Sequence, residues 1–367
     1  MIGRLFRVSI FGESHGKGVG ALIEGCPPGI PVDESYIAGE LAKRRPGWGL
    51  TSPRREADWP EILSGVFRGR TTGGPILVFI RNRDADSSFY EEIRDTPRPG
   101  HADYTARVKY WGFNDYRGGG HNSGRLTAGV VAAGAIARRL LETVGVRVYA
   151  YITRIGDVEA RIDPVDSESF RERVYSSPVR CPDPEASEKM AKAVRRVMAE
   201  GDSLGGIVEA VAYNLPVGLG EPPMDGLDSD IAKALVSIPG VKGVEFGAGF
   251  RLAGMRGSEA NDHWIMRDGR VATASNNMGG VNGGISNGMP LVVRVVFKPT
   301  STIRKSQRSV NLATGEEAVI RGRGRHDPCI AIRAVPVVEA YMAIVLADHL
   351  LRWMAWQPLK SRILEGS

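Results

Sequence analysis

Residues 97–125 read PRPGHADYTARVKYWGFNDYRGGGHNSGR, and small and apolar residues at helical spacing follow over 126–143. The stretch holds Arg98, His101, Asp103, Arg107, Lys109, Asp115, Arg117, His121 and Arg125. Such side chains cost desolvation and conformational freedom unless something uses them, so their density marks a ligand site and not a core. Gly118, Gly119 and Gly120 leave backbone N–H groups able to approach an anion, and a glycine loop feeding a helix N-terminus is a phosphate or carboxylate cradle. Pro97 and Pro99 stiffen the chain around Arg98 and present His101, whose imidazole exchanges protons near neutral pH. A basic surface loop with a glycine turn is the plainer alternative. The Ala- and Gly-rich helix that follows permits close packing on a sheet, and Gly145 ends it before a strand over 146–155.

Toward the N-terminus, residues 4–10 alternate as a strand, Gly12-Glu13-Ser14-His15-Gly16 interrupts it, and 21–24 resumes an extended run. Asp33 is placed to cap a helix over 34–44, with Lys43, Arg44 and Arg45 at its C-terminal end and Pro46-Gly47 as its stop. A loop with Arg54 and Arg55 follows, then a strand over 74–81 and a polar loop over 82–96. Toward the C-terminus the pattern predicts a helix over 185–198, a strand over 207–214 and a helix capped by Asp228 that ends at Pro239-Gly240. A strand or hairpin is expected over 241–254, a second glycine-rich loop over 275–288 and a β-branched strand over 289–297. Lys298-Pro299-Thr300-Ser301-Thr302 ends that strand, where α/β folds place phosphate binders. The span 303–324 reads as polar and mobile, and Arg325-His326-Asp327-Pro328-Cys329 precedes a core helix over 334–353. Helix and strand alternate without a linker, which predicts one domain.

The composition narrows the partners. The 46 glycines are well above the roughly 7% background, and they cluster at 18–20, 118–120, 279–284 and 322–324, as ligand-hugging loops do. A formal charge of +6 suits an anionic partner without requiring nucleic acid. An RNA-binding reading, prompted by a pI near 9.3 and the Arg/Gly stretch 321–325, needs aromatics between its arginines, and aromatics are only 7%. Cys26, Cys181 and Cys329 are odd in number and not spaced as metal ligands, which predicts a reducing compartment and no metal site. The N-terminus lacks a secretory apolar region, and 335–353 carries Glu339, Asp348, His349 and Arg352, so a cytoplasmic chain without a membrane span is expected.

Four separated segments share one vocabulary: Ser14 with His15, His101 with Arg98 and Arg125, Lys298 with its hydroxyl neighbours, and Arg325 with Asp327. Together they suggest a pocket for a multiply charged anion with two histidines for proton transfer. GESHG, PRPGHADY and RHDPC occur in this order, accompanied by KGVEFGAGF, MRGSEAND, KPTSTI and RAVPVVEAYMA. Through these motifs the sequence resembles the chorismate synthase family over nearly its whole length.

The resemblance implies an α+β fold, a β-α-β sandwich in a single domain with long functional loops near 45–58, 82–96 and 303–324, assembled as a homotetramer. It implies a carbon–oxygen lyase that eliminates phosphate from 5-enolpyruvylshikimate 3-phosphate to give chorismate, using reduced FMN (FMNH2) without net redox change. NADPH would enter only indirectly, as a source of reduced flavin. His15 corresponds to the general acid for phosphate departure, His101 to the histidine that protonates or stabilises the reduced flavin, and Ser14 with Asp327 to a proton relay. Flavin contacts would come from His121, Asn122, Ser123, Pro239, Gly240, Gly283, Lys298, Pro299, Thr300, Ser301, Thr302 and Arg325. Arg44, Arg45, Arg98, Arg125 and Arg325 would bind substrate. The family's common GGGRSSAR is here GGGHNSGR, so His121, Asn122 and Gly124 stand where Arg, Ser and Ala are frequent. A flavin-dependent oxidoreductase would need the same pocket but would consume one reduced flavin per turnover.

Overall fold

Alternation at the N-terminus does produce strands. In the computed structural model, which describes residues 1–45, 49–51, 58–83, 86–323 and 326–365, β1 (Arg7–Gly12) turns back onto β2 (Gly18–Glu24). With β3 (Pro60–Ser64) and β4 (Ile76–Arg81) they form an antiparallel sheet in the order β1-β2-β4-β3. Ile76, Val78 and Ile80 of β4 are fully buried while Leu77 and Phe79 are not, the period-2 signature of a sheet covered on one face. A second antiparallel sheet is built from β5 (Arg147–Ile155), β6 (Val158–Glu159), β7 (Gly206–Tyr213), β8 (Val241–Phe246) and β9 (Leu291–Phe297). Its order is β8-β9-β7-β5-β6, with Leu291, Val293, Val295 and Phe297 turned inward.

Helices fill the space between the sheets. Asp33 caps α1 (Glu34–Arg44) by accepting the Tyr36 N–H at 2.7 Å. With α2 (Thr127–Glu142) it lies on the first sheet, whereas α3 (Leu227–Val236) and α4 (Ala331–Glu365) lie on the second, and α2 packs along α4. This is the expected β-α-β sandwich. Every α2 residue from Thr127 to Ala137 is buried, so the helix has no solvent face over that length. Among the described residues α4 is the one helix long and apolar enough to cross a membrane, and its apolar window is 94% buried inside the protein. All three cysteines are buried and unpaired.

The α2–α4 crossing depends on Gly134. A Cβ there would lie 2.4 Å from Ala340 Cβ and 2.5 Å from Ala340 Cα, both on the opposite helix. Gly134→Ala is therefore expected to destabilise the chain in denaturant unfolding, because overpacking of about 1–3 kcal/mol exceeds the roughly 1 kcal/mol of helix propensity gained.

A buried ion network ties the helices at their far side. Arg171, in the helix Glu168–Ser176, bonds Glu40 of α1 at 2.6 Å and Glu339 of α4 at 2.8 Å. Burial opposes the Glu40 charge, but Arg171 outweighs it and holds that carboxyl down to about 2. A folded-state pKa below the unfolded one contributes stability above the ordinary carboxylate range that is lost as pH falls toward the folded value. The melting temperature should accordingly drop between about pH 4.5 and 2, less steeply in Glu40→Gln.

Several local expectations need correction. The span 303–324 contains a regular hairpin, Ser306–Val310 paired with Glu317–Arg321, closed where Gly315 N–H reaches the Asn311 carbonyl at 2.8 Å. The first strand, SQRSV, is nearly all polar, and the apolar residues of the second, EAVIR, are consecutive, so no apolar alternation marks the pair. Residues 241–254 are not one hairpin. Only β8 is a strand, it pairs with β9, and Gly249–Gly254 is a 3-10 turn. Asp228 lies inside α3, bonded to the Ser229 N–H, and Gly226 is the N-cap. The short helices Asp103–Lys109 and Glu168–Ser176 carry too little periodicity to be seen beforehand.

Candidate active site

Chain segments far apart in sequence meet at a cavity of about 920 Å³. Its walls are the glycine loop 118–125, the segment around Arg98 and His101, the α3–β8 turn at 236–242, the end of β9 at 297–301 and the start of α4, together with Ser14, Arg44 and Asp58.

The turn after β1 is fixed from two sides. Asn82, just past β4, places its amide nitrogen 2.9, 3.1 and 2.9 Å from the Glu13, Ser14 and Gly16 carbonyls, while its Oδ1 accepts from Arg125 Nε at 2.9 Å. The Ser14 N–H donates to the Gly120 carbonyl at 3.2 Å, tying this turn to the triple glycine. Ser14 lines the cavity, and His15 lies behind Gly118 and does not. His15 Nδ1 is 2.8 Å from Ser87 Oγ, and its ring meets Tyr90 edge-on at 5.1 Å. Gly118, at φ +60°, permits the approach: a Cβ there would sit 2.5 Å from His15 Cδ2 and 2.8 Å from Ser14 Oγ. The glycine loop thus works first as a thin partition over Ser14 and His15. It does not feed the helix N-terminus directly, since the 3-10 turn Gly124–Leu126 intervenes before α2.

Arg98 forms a bidentate pair with Asp103, at 2.8 Å from both Nε and Nη2, and lies 5.2 Å from the centre of the Tyr90 ring. Burial opposes its charge, but Asp103 more than compensates and raises its pKa. His101 opens onto the cavity with Nε2 2.6 Å from Thr302 Oγ1. The enclosing walls, and after them the charge of Arg98, hold its imidazole well below its ordinary pKa, while Asp103 acts in the opposite sense. It is neutral at pH 7 in this state, a proton acceptor or hydrogen-bonding group and not a charged donor. Lys298 Nζ donates to the Gly100 carbonyl at 2.5 Å and to Ser301 Oγ, so the end of β9 is locked to the PRPGH turn.

On another wall Asp58 stands between Arg44 and Arg125, all three buried. Asp327 pairs with Arg333 of α4 at 2.8 Å, and Arg333 Nε donates to the Arg44 carbonyl at 3.0 Å. Burial and then the positive charge of Arg333 pull the Arg44 pKa down to about 9, which still leaves it charged at neutral pH.

Of the residues singled out from sequence, Ser14, Arg44, Arg98, His101, His121, Asn122, Ser123, Arg125, Pro239, Gly240, Lys298, Pro299, Thr300, Ser301 and Asp327 line the one cavity. His15 and Thr302 stand directly behind the lining, each held by a lining neighbour or its loop. Two are not brought there. Arg45 is the residue that ends α1, with its N–H on the Ala42 carbonyl, and Gly283 sits in the tight Val281–Asn282/Ile285–Ser286 hairpin, whose Gly284 packs on Gly226 before α3. Pro239 and Gly240 follow the opposite end of that helix. Arg325 and the 52–57 segment with Arg54 and Arg55 lie outside the described residues. Sequence reasoning missed Asp58, Asn82, Tyr90 and Arg333. An aspartate or asparagine beside a strand carries no local signal of the arginine it will meet, whereas Arg333, an arginine opening an otherwise apolar core helix, was such a signal.

A helix layer between two antiparallel sheets, with a cleft edged by guanidinium, imidazole, hydroxyl and carboxylate groups, has the form of an enzyme site for a small molecule. Residues 6–351 match the family described as chorismate synthase. A chorismate synthase of Aeropyrum pernix is 61% identical over 350 residues, covering 95% of this chain and 92% of that protein. One from Thermococcus kodakarensis is 56% identical over 97% of this chain and 99% of its own, and one from Methanosarcina mazei is 51% identical over 96% of both. A solved structure described as a crystal structure of chorismate synthase superposes with a TM-score of 0.77 at 34% identity, covering 99% of this chain and 97% of that one. The chain belongs to the chorismate synthase family.

Proposed function

We propose that this chain converts 5-enolpyruvylshikimate 3-phosphate to chorismate and phosphate, using reduced FMN without net redox change. The observation that carries the reading is the convergence of Ser14, His101 and Asp327 with Arg44, Arg98 and Arg125 on one cavity. A substrate with a phosphate and two carboxylates needs several guanidinium groups, and guanidinium matches such groups bidentately.

The cleft fits a flavin as well as a substrate. Its volume of about 920 Å³ lies near the top of the roughly 300–1,000 Å³ range of small-molecule sites. Pro239, Gly240, Ile330 and Val337 offer apolar surface, and Lys298, Ser301, His121, Asn122 and Ser123 offer polar groups along its edge. These residues would hold the ring system and its phosphate. When bound, reduced FMN supplies an electron-rich surface that stabilises charge developing as the carbon–oxygen bond breaks.

The chain's own groups then have distinct tasks. Arg44, Arg98 and Arg125 orient the anionic groups and offset charge on the departing phosphate. His15, behind the Gly118 partition, lends that phosphate a proton through the Ser14 side of the loop, with Ser87 fixing which ring nitrogen faces it. His101, held neutral, accepts or donates a hydrogen bond at the flavin without adding positive charge. Asp327, oriented by Arg333, forms with Ser14 the relay that takes up the proton lost from substrate. The reading also includes a homotetramer, a cytoplasmic location and NADPH only as an indirect source of reduced flavin.

The test is anaerobic mixing of the purified chain with 5-enolpyruvylshikimate 3-phosphate and chemically reduced FMN, with flavin spectra recorded throughout. Chorismate and phosphate should form in equal amounts while the flavin stays reduced. Stoichiometric flavin oxidation would indicate an oxidoreductase instead, and absence of product with flavin bound would overturn the proposal.

A further inference from the structure

Asp58 is a carboxylate lodged in a wall otherwise built to receive anions. One of its oxygens accepts from Arg125 Nη1 and the other faces Arg44 Nη1 at 3.5 Å, and all three residues line the cavity. The side chains are closely enclosed, at 3% exposure for Asp58 and 6% for each arginine. Both guanidinium groups are aimed by other partners. Arg44 donates from Nε to Thr127 Oγ1 and from Nη2 to the Gly124 carbonyl, each at 2.8 Å, and Arg125 donates from Nε to Asn82 Oδ1 at 2.9 Å. None of those anchors involves Asp58. The aspartate itself sits at φ +44°, in the left-handed region that aspartate adopts more readily than most residues with a Cβ.

We propose that Asp58 is a resident stand-in for an oxyanion: its carboxylate occupies the place between Arg44 and Arg125 that a phosphate or carboxylate group of the ligand takes. Carboxylate and phosphate present the same pair of oxygens to guanidinium donors, so ligand and side chain compete for one pair of cations. The stand-in offsets the mutual repulsion of two enclosed guanidinium groups, and it sets anion affinity below what the arginines alone would provide. The inference rests on the reading of the cleft as an anion site, and it deepens that reading by naming the internal competitor.

The experiment compares the full chain with Asp58→Asn, using inorganic phosphate as the probe in calorimetric titrations at fixed ionic strength. Loss of a negative charge beside both guanidinium groups should tighten phosphate binding by roughly tenfold or more. Arg125→Met should weaken it in either background. Unchanged or weaker phosphate binding in Asp58→Asn overturns the proposal, because that is the result if the carboxylate merely orders the arginines. Should Asp58→Asn fail to fold in phosphate-free buffer, refolding with added phosphate decides: recovery supports the stand-in, and failure in both conditions overturns it. The probe requires no turnover, so a chain that makes no chorismate can still uphold the competition, and a chain that makes it can still refute the competition.

Discussion

Alanine in place of His15 is expected to lower kcat/KM by about 10²–10⁴-fold, the range for losing a positioned general acid. The ring is 9% exposed and packed edge-on against Tyr90, with Nδ1 on Ser87, so it is held in one orientation and not free to sample others. Removing it also empties a small packed volume, and a stability loss of about 1–2 kcal/mol is expected alongside. The two effects separate in measurement, because steady-state kinetics under anaerobic conditions reports the first and denaturant unfolding the second. His15→Gln, which restores much of the volume without an imidazole, should recover stability but not turnover. If His15→Gln were as active as the parent, the general-acid role would be lost and the histidine would be a packing group.

Gly118→Ala should have a comparable effect through a different route. The backbone at φ +60° disfavours any Cβ, and the methyl group would fall 2.5 Å from His15 Cδ2, 2.7 Å from Nε2 and 2.8 Å from Ser14 Oγ. Real Cβ contacts do not exist at such distances, so either the imidazole turns or the glycine loop lifts, and the loop carries the Gly120 carbonyl that receives the Ser14 N–H. A loss of about 10²-fold or more in kcat is expected, the order associated with a misplacement near 1 Å. A double-mutant cycle identifies the route: combined with His15→Ala, the glycine substitution should cost clearly less than it does alone, because the imidazole is already gone and only the Ser14 contact is left to disturb. Full additivity would mean that Gly118 acts on the cleft independently of His15.

How much of this was legible beforehand can be judged residue by residue. Asp33 as a cap, the β-branched run over 289–297 and the small-residue helix after Leu126 are local signals, written within a few residues of where they act, and each formed the predicted element, the strand starting at Leu291. The hairpin 306–321 was not legible, since SQRSV is nearly all polar and the apolar residues of EAVIR are consecutive, which leaves no apolar period. The same distinction runs through the cleft. Ser14, His101, Lys298 and Asp327 stand in unusual clusters of polar residues beside glycine or proline, and such clusters announce themselves. Asp58 and Asn82 look ordinary in their own neighbourhoods and acquire meaning only from Arg44 and Arg125, which lie from 14 to 67 positions away.

By itself, then, the order of amino acids determined the type of most of the long elements, their alternation, the basic character of the pocket and the family motifs, all of which depend on short-range patterning and composition. Only the tertiary structure decided that His15 stands behind a glycine partition, that His101 is held neutral, that Arg45 and Gly283 stay away from the cleft, and that one aspartate bridges two arginines. Distances, dielectric surroundings and ion pairing between remote segments arise from packing of the two sheets around the helix layer, and no local stretch of chain encodes them.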